Sequence, residues 1–136
     1  MEILYKTGDI LHSDEEIILV EVSRSGLLRI DNPVHKAIVD KWGITNEGMN
    51  MYQGDIEAYR LDTNKVLILL CTRLDMLVPQ HKEHTIYFLK EGLKKLAHHK
   101  PKSLSTYKFA ADMPWDETAH VLEEMLPQTQ ITVYLY

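Results

Sequence analysis

Residues 17–38 read IILVEV-SRSGLLRIDNPVHKAI, and the fold turns on how this stretch divides. Its first six residues are almost continuously apolar, which suits a strand covered on both faces of a mainly parallel sheet. Pro33 suits the first turn of a helix, because its missing N–H has no intrahelical partner there in any case. Val34, Ile38 and Trp42 then recur at helical spacing, and Gly43 is the expected stop. Many α/β proteins hold a phosphate at such a strand-to-helix junction, on backbone left bare by several glycines. Here the junction has one glycine, Gly26, followed by Leu27, Leu28, Arg29, Ile30 and Asp31.

Outward from this stretch the elements alternate. Residues 2–7 read as a first strand closed by Gly8 and Asp9. Residues 55–61 alternate apolar and polar like an edge strand, and residues 65–72 run apolar like a central one; the turn signal DTN joins them. Residues 81–98 form a long helix whose apolar stripe is Ile86, Leu89, Leu93, Leu96 and Ala97, ended by Pro101. A strand at 103–109, a helix at 112–126 and a last strand at 130–136 complete the order β-β-α-β-β-α-β-α-β. Asp112, Asp116 and Glu117 favour the start of that last helix through its dipole. Helices on both faces of one sheet are implied, with ligands beyond the carboxyl ends of the strands. The loops after Val22, Cys71 and Phe109 are therefore where function is expected.

The 136 residues fit a single domain with a sizeable core, and 45% hydrophobic content is ordinary for a soluble protein. A formal charge of −5 argues against a general grip on nucleic acid. The one basic stretch, KEGLKKLAHHKPK, reads as the wet face of a helix. No run approaches a bilayer span, and the N-terminus lacks a signal-peptide layout. Cys71 is the only cysteine, so no internal disulfide can form, and a cytoplasmic setting is expected. His81 and His84 can share a helix face, but no partner set completes a zinc site, so no metal is expected. No Ser-His-Asp order, Walker loop or Cys-x-x-Cys is present.

Several strings, in order and at about the right spacing, resemble the macro domain, the ADP-ribose-binding fold. They are TGDIL at 7–11, AIVDKWG at 37–43, NKVLILLCTR at 64–73, and PWDETAHVLEEML with ITVY near the end. The resemblance is nearest to the branch of the terminal ADP-ribose protein glycohydrolase and the ADP-ribose-1″-phosphate phosphatases, and covers nearly the whole chain. It implies a three-layer α/β/α fold with a mixed, mainly parallel six-stranded sheet. It also implies binding of ADP-ribose or a related nucleotide, with hydrolysis of an ADP-ribosyl linkage as a further activity and no cofactor. The departures fall in the loops: LRIDNPVHKAI stands where the family has Gly-x-Gly-Ile-Ala, and FAADMPW where it has a second glycine-rich loop. Asp31 repels phosphate and Pro33 has no N–H to give, so a backbone diphosphate cradle at residues 26–34 is not expected.

The resemblance places ligand contacts at Asp9, Ser23, Ser25, Gly26, Arg73 and Asp112, with Ser23 and Asp112 as candidate catalytic groups. Asp112 is implied as a general base or ribose contact; a helix-start carboxylate is the other reading. For Ser23 and Asp9 the other reading is a turn cap. Arg73 stands where the branch has a nucleophilic lysine. A guanidinium stays protonated, so covalent lysine-type chemistry is not expected; Arg73 either holds an anion or pairs with Asp75 or Asp112. A second function class stays open: a catalytically inactive interaction or inhibitor module, in host–virus conflict or ADP-ribosylation control, with a protein partner on Leu27 and Leu28.

Overall fold

The computed structural model describes residues 3–26, 33–44, 50–62, 64–75, 78–110 and 113–135. In chain order they form β1 (Leu4–Thr7), a 3-10 turn (Ile10–His12), β2 (Ile17–Ser23), α1 (Pro33–Trp42), β3 (Ile56–Asp62), β4 (Lys65–Arg73), α2 (Lys82–Ala97), β5 (Ser103–Tyr107), α3 (Trp115–Met125) and β6 (Gln130–Leu135). The order of elements is the one the sequence patterns give. Pro33 opens α1, and Gly43, with φ of 65°, closes it by donating its N–H to Val39 at 2.9 Å.

The six strands lie side by side as β1-β6-β5-β2-β4-β3. All neighbours are parallel except β3, which runs antiparallel to β4 on the edge its alternating pattern called for. β2 and β4 run through the middle of the core, and every residue of β2 is buried.

One face of the sheet carries α2 and α3, which lie alongside each other and are bridged by Lys82–Glu117 (3.0 Å) and Lys90–Glu124 (3.5 Å). Gly92 brings α2 close to the sheet: a Cβ there would stand 2.5 Å from Leu70 Cγ. In the parallel register Leu70 is level with Glu21, so Glu21 also points to the α2 face. The opposite face is equally dry, with Ile18, Val20, Val22, Leu67, Leu69 and Cys71 buried, and Val34 and Ile38 of α1 join the same core. The result is the three-layer α/β/α arrangement with a mixed, mainly parallel sheet.

Among the described residues, no helix is long and apolar enough to cross a membrane.

Candidate functional site: the crevice between β2 and β5

The chain builds the sheet in two directions. From β2 it passes through α1 to β3 and β4 on one side, whereas β5 and β6 lie on the other. The reversal falls between β2 and β5, and in open α/β sheets the crevice at such a switch point is where ligands sit. The hydrogen bonding agrees. β2 and β5 pair through only two residue pairs, Ile17–Leu104 and Ile18–Ser105. Above that level β2 carbonyls are met by side chains: Leu19 O by the Thr106 hydroxyl at 2.9 Å, and Glu21 O by His35 Nε2 at 2.9 Å and, at 3.5 Å, by the Tyr107 hydroxyl. The strands part at their carboxyl ends. The loops leaving them, β2–α1 and β5–α3, are the two that lack the expected glycines.

Glu21 lies in the wall of this crevice, 3% exposed. Its Oε2 accepts the Thr72 hydroxyl at 2.6 Å and its Oε1 accepts the Ala110 N–H at 3.1 Å. Arg73 Nη2 stands 3.8 Å from Oε2, and Arg73 is itself only 4% exposed. A register shift explains why these groups meet. Val22 is level with Cys71 but Ser23 with Arg73, so Thr72 is an extra residue on β4. Bulges of this kind commonly re-aim a side chain beside a site. Here the carbonyl of Thr72 takes the Gln53 and Gln80 side-chain amides, at 3.1 and 2.9 Å, and Arg73 turns inward.

The other residues singled out from the sequence are placed as follows. Ser23 is buried at the end of β2, and its hydroxyl accepts from Ser25 N at 3.4 Å; its carbonyl accepts from Gly26 N at 3.0 Å, with Gly26 at φ of 86°. Ser23, Ser25 and Gly26 thus share one tight turn at the top of β2. Arg24 leaves that turn with Nε on Met51 O and Nη2 on Asn50 Oδ1, both at 2.9 Å, and its guanidinium lies 5.5 Å from the ring centre of exposed Tyr52. Asp9 caps the 3-10 turn, with Oδ1 accepting from Leu11 N at 2.9 Å. Leu27, Leu28, Arg29, Ile30, Asp31 and Asp112 lie outside the described residues. Arg73 faces Glu21 at 3.8 Å, and of its two expected partners, Asp75 and Asp112, the second lies outside the described residues. His81 and His84 sit 6.0 Å apart, centroid to centroid, beside a cavity of about 280 Å³ that Arg73, Asp75 and Val78 also line. Among the described residues no three His, Cys, Asp or Glu side chains are grouped to hold a metal ion.

Sequence reading missed Glu21 and His35. The signal for Glu21 was present: a lone carboxylate inside a run read as apolar and covered on both faces must find hydrogen-bond partners. His35 is fully buried in the first turn of α1, and burial depresses its pKa to about 4, against the opposing pull of its bond to Glu21 O. The ring is therefore neutral at pH 7 and donates to that carbonyl. On β4, burial pushes the Cys71 thiol up to about 11, and its S–H donates to Arg73 O at 3.5 Å.

A mixed sheet split at its switch point, with helices on both faces and β1 at one edge, defines an open α/β fold. Comparison with solved structures makes the class specific: the chain has the macrodomain fold. It is similar to a macrodomain protein from Streptomyces coelicolor, with a TM-score of 0.79 at 13% identity over 99% of this chain and 99% of that one. It is similar to the macrodomain of Mycobacterium tuberculosis DarG, with a TM-score of 0.76 at 14% identity over 99% and 98%. Thermosipho africanus DarTG, solved in complex with ADP-ribose, matches with a TM-score of 0.73 at 13% identity over 95% of this chain and 40% of that one. No family model matches the sequence, and no curated protein matches it either.

Proposed function

We propose that this chain binds ADP-ribose, or a nucleotide closely related to it, in the crevice between β2 and β5, and does so without a covalent step at β4. The observation that carries this reading is the parting of β2 and β5 at the topological switch point, in a fold shared with macrodomains. One neighbour of that fold was solved with ADP-ribose bound. Arg73 occupies the position of the expected nucleophile, and a guanidinium facing a buried carboxylate is a counter-ion, not a nucleophile. Ser23 and Ser25 in the turn and the clamped Arg24 at the rim are the proposed contacts for ribose and phosphate. Asp9, Gly26 and Asp112 are carried as further proposed contacts. Anion binding would then depend on side-chain charge and weaken as salt rises.

Calorimetric titration of the intact chain with ADP-ribose, ADP-ribose-1″-phosphate and cyclic nucleotides tests this. A saturable heat with an ADP-ribose-type ligand, smaller in R24A and at high salt, is the expected result. No heat at millimolar ligand across the panel would overturn the reading.

A further inference from the structure

The geometry points to Glu21 as the positioning residue of this crevice, the group that fixes Ala110, just beyond β5, and the end of β4 relative to each other. The inference rests on the reading of the crevice as a nucleotide site. Backbone pairing cannot do this work, because the β2–β5 ladder stops at Ile18–Ser105. The Glu21 carboxylate reaches where the ladder does not. One oxygen holds Ala110, three residues beyond the end of β5, and the other holds Thr72 and faces Arg73 on β4. Ala110 needs such a hold. Its φ of 58° is sparsely populated for any residue with a Cβ, and such a conformation persists only where the surroundings impose it. The Ala110 carbonyl in turn accepts from Met113 N at 3.1 Å, two residues before α3, so the hold on Ala110 passes to the start of that helix. A hydrophobic side chain at position 21 would continue the apolar run of β2 without desolvating a charge, which makes the carboxylate costly for a residue whose only task is packing. Thr72, Arg73 and Ala110 all lie at or beyond the carboxyl ends of the strands, where the ligand is proposed to bind.

Two measurements on the intact chain decide the matter. The first is amide exchange at Ala110, read by NMR against Leu104 in the paired part of β5. In E21M the Ala110 N–H has no acceptor and should exchange at least tenfold faster, with Leu104 unchanged. The second is ADP-ribose titration below the melting transition of each variant. Affinity should fall at least tenfold in E21M, and E21Q should fall between E21M and the parent, since an amide oxygen can still accept from Ala110 while the counter-charge to Arg73 is gone. If E21M does not fold, E21Q carries both readouts and should still bind at least threefold more weakly. Unchanged Ala110 exchange in E21M, or parental affinity in a folded variant, overturns the assignment. A parent chain that gives no heat with ADP-ribose refutes the nucleotide reading alone, and the exchange experiment still decides whether Glu21 holds Ala110.

Discussion

The seam between β2 and β5 is closed by ladder pairs and hydroxyls at one end and by buried charge at the other. At the lower end two ladder pairs hold the strands, and hydroxyls complete the closure. Ser105 donates to Ile17 O and touches the Ser13 hydroxyl, each at 3.1 Å, and Ser103 accepts from Glu16 N at 2.9 Å. The half-buried Lys65 amine, 3.0 Å from the Ser13 hydroxyl, is the only charged group in that network among the described residues. At the upper end the same strand meets a carboxylate, a guanidinium and an imidazole, all inside the protein. The lower end is closed by ladder pairs and hydroxyls, and the upper end, beyond the ladder, by buried polar and charged side chains. Two charges taken out of water rarely return their desolvation cost in stability, but removing only one of them is severe.

The largest effect should come from breaking the charged end. E21A removes the acceptor of Thr72 and Ala110 and strips Arg73 of the carboxylate facing it, at a cost of about 3–5 kcal/mol in a urea titration. The double variant E21M/R73M should lose less than E21A, because the charge that faces Glu21 is removed along with it; equal losses would mean that the pair contributes nothing as a pair.

Acid offers a milder way to the same end of the seam. The folded pKa of His35, about 4, lies below its ordinary value, so between those values the unfolded chain takes up the proton and the folded one does not. Stability from this group is complete above about pH 6.5 and is lost as pH falls toward 4. The loss amounts to about 2 kcal/mol between pH 7 and pH 5. Urea midpoints measured across that range should fall in the parent and stay nearly flat in H35Q, once the shared titration of surface carboxylates is subtracted.

The smallest effect belongs to the lower end. S105A removes a hydroxyl that bonds Ile17 O and Ser13, and should cost about 1 kcal/mol in the same assay. Nucleotide titration of S105A should match the parent. A change in affinity there would erase the contrast between the two ends.

Almost all of the fold was legible in the sequence, and the reason is periodicity. The doubly buried strands announce themselves as IILVEV and KVLILLC, the edge strand as IEAYRL, and α1 is bounded by Pro33 and Gly43. The site was legible only as a location. Ser23 and Arg73 were found at the strand ends, but the direction in which Arg73 points was not. That direction depends on the one-residue slip between Val22 and Ser23, which leaves no mark in hydrophobic alternation. Asp75 is near in sequence and Asp112 was placed by resemblance, whereas Glu21 is near in space because parallel register sets it beside Leu70, and register is a property of two strands together.

The solitary Cys71 gives the chain an internal clock. Its sulfur is fully buried on β4, and its thiol, raised to about 11, is scarcely ionised at neutral pH. A thiol reagent in excess can therefore modify it only after β4 has come open, and each chain can be modified once. At high reagent the labelling rate becomes the rate of that opening, and at low reagent it reports how much of the population is open. Slow opening in the parent and faster labelling with ligand absent than with ligand bound would turn one unreactive atom into a direct gauge of how firmly the sheet is held shut.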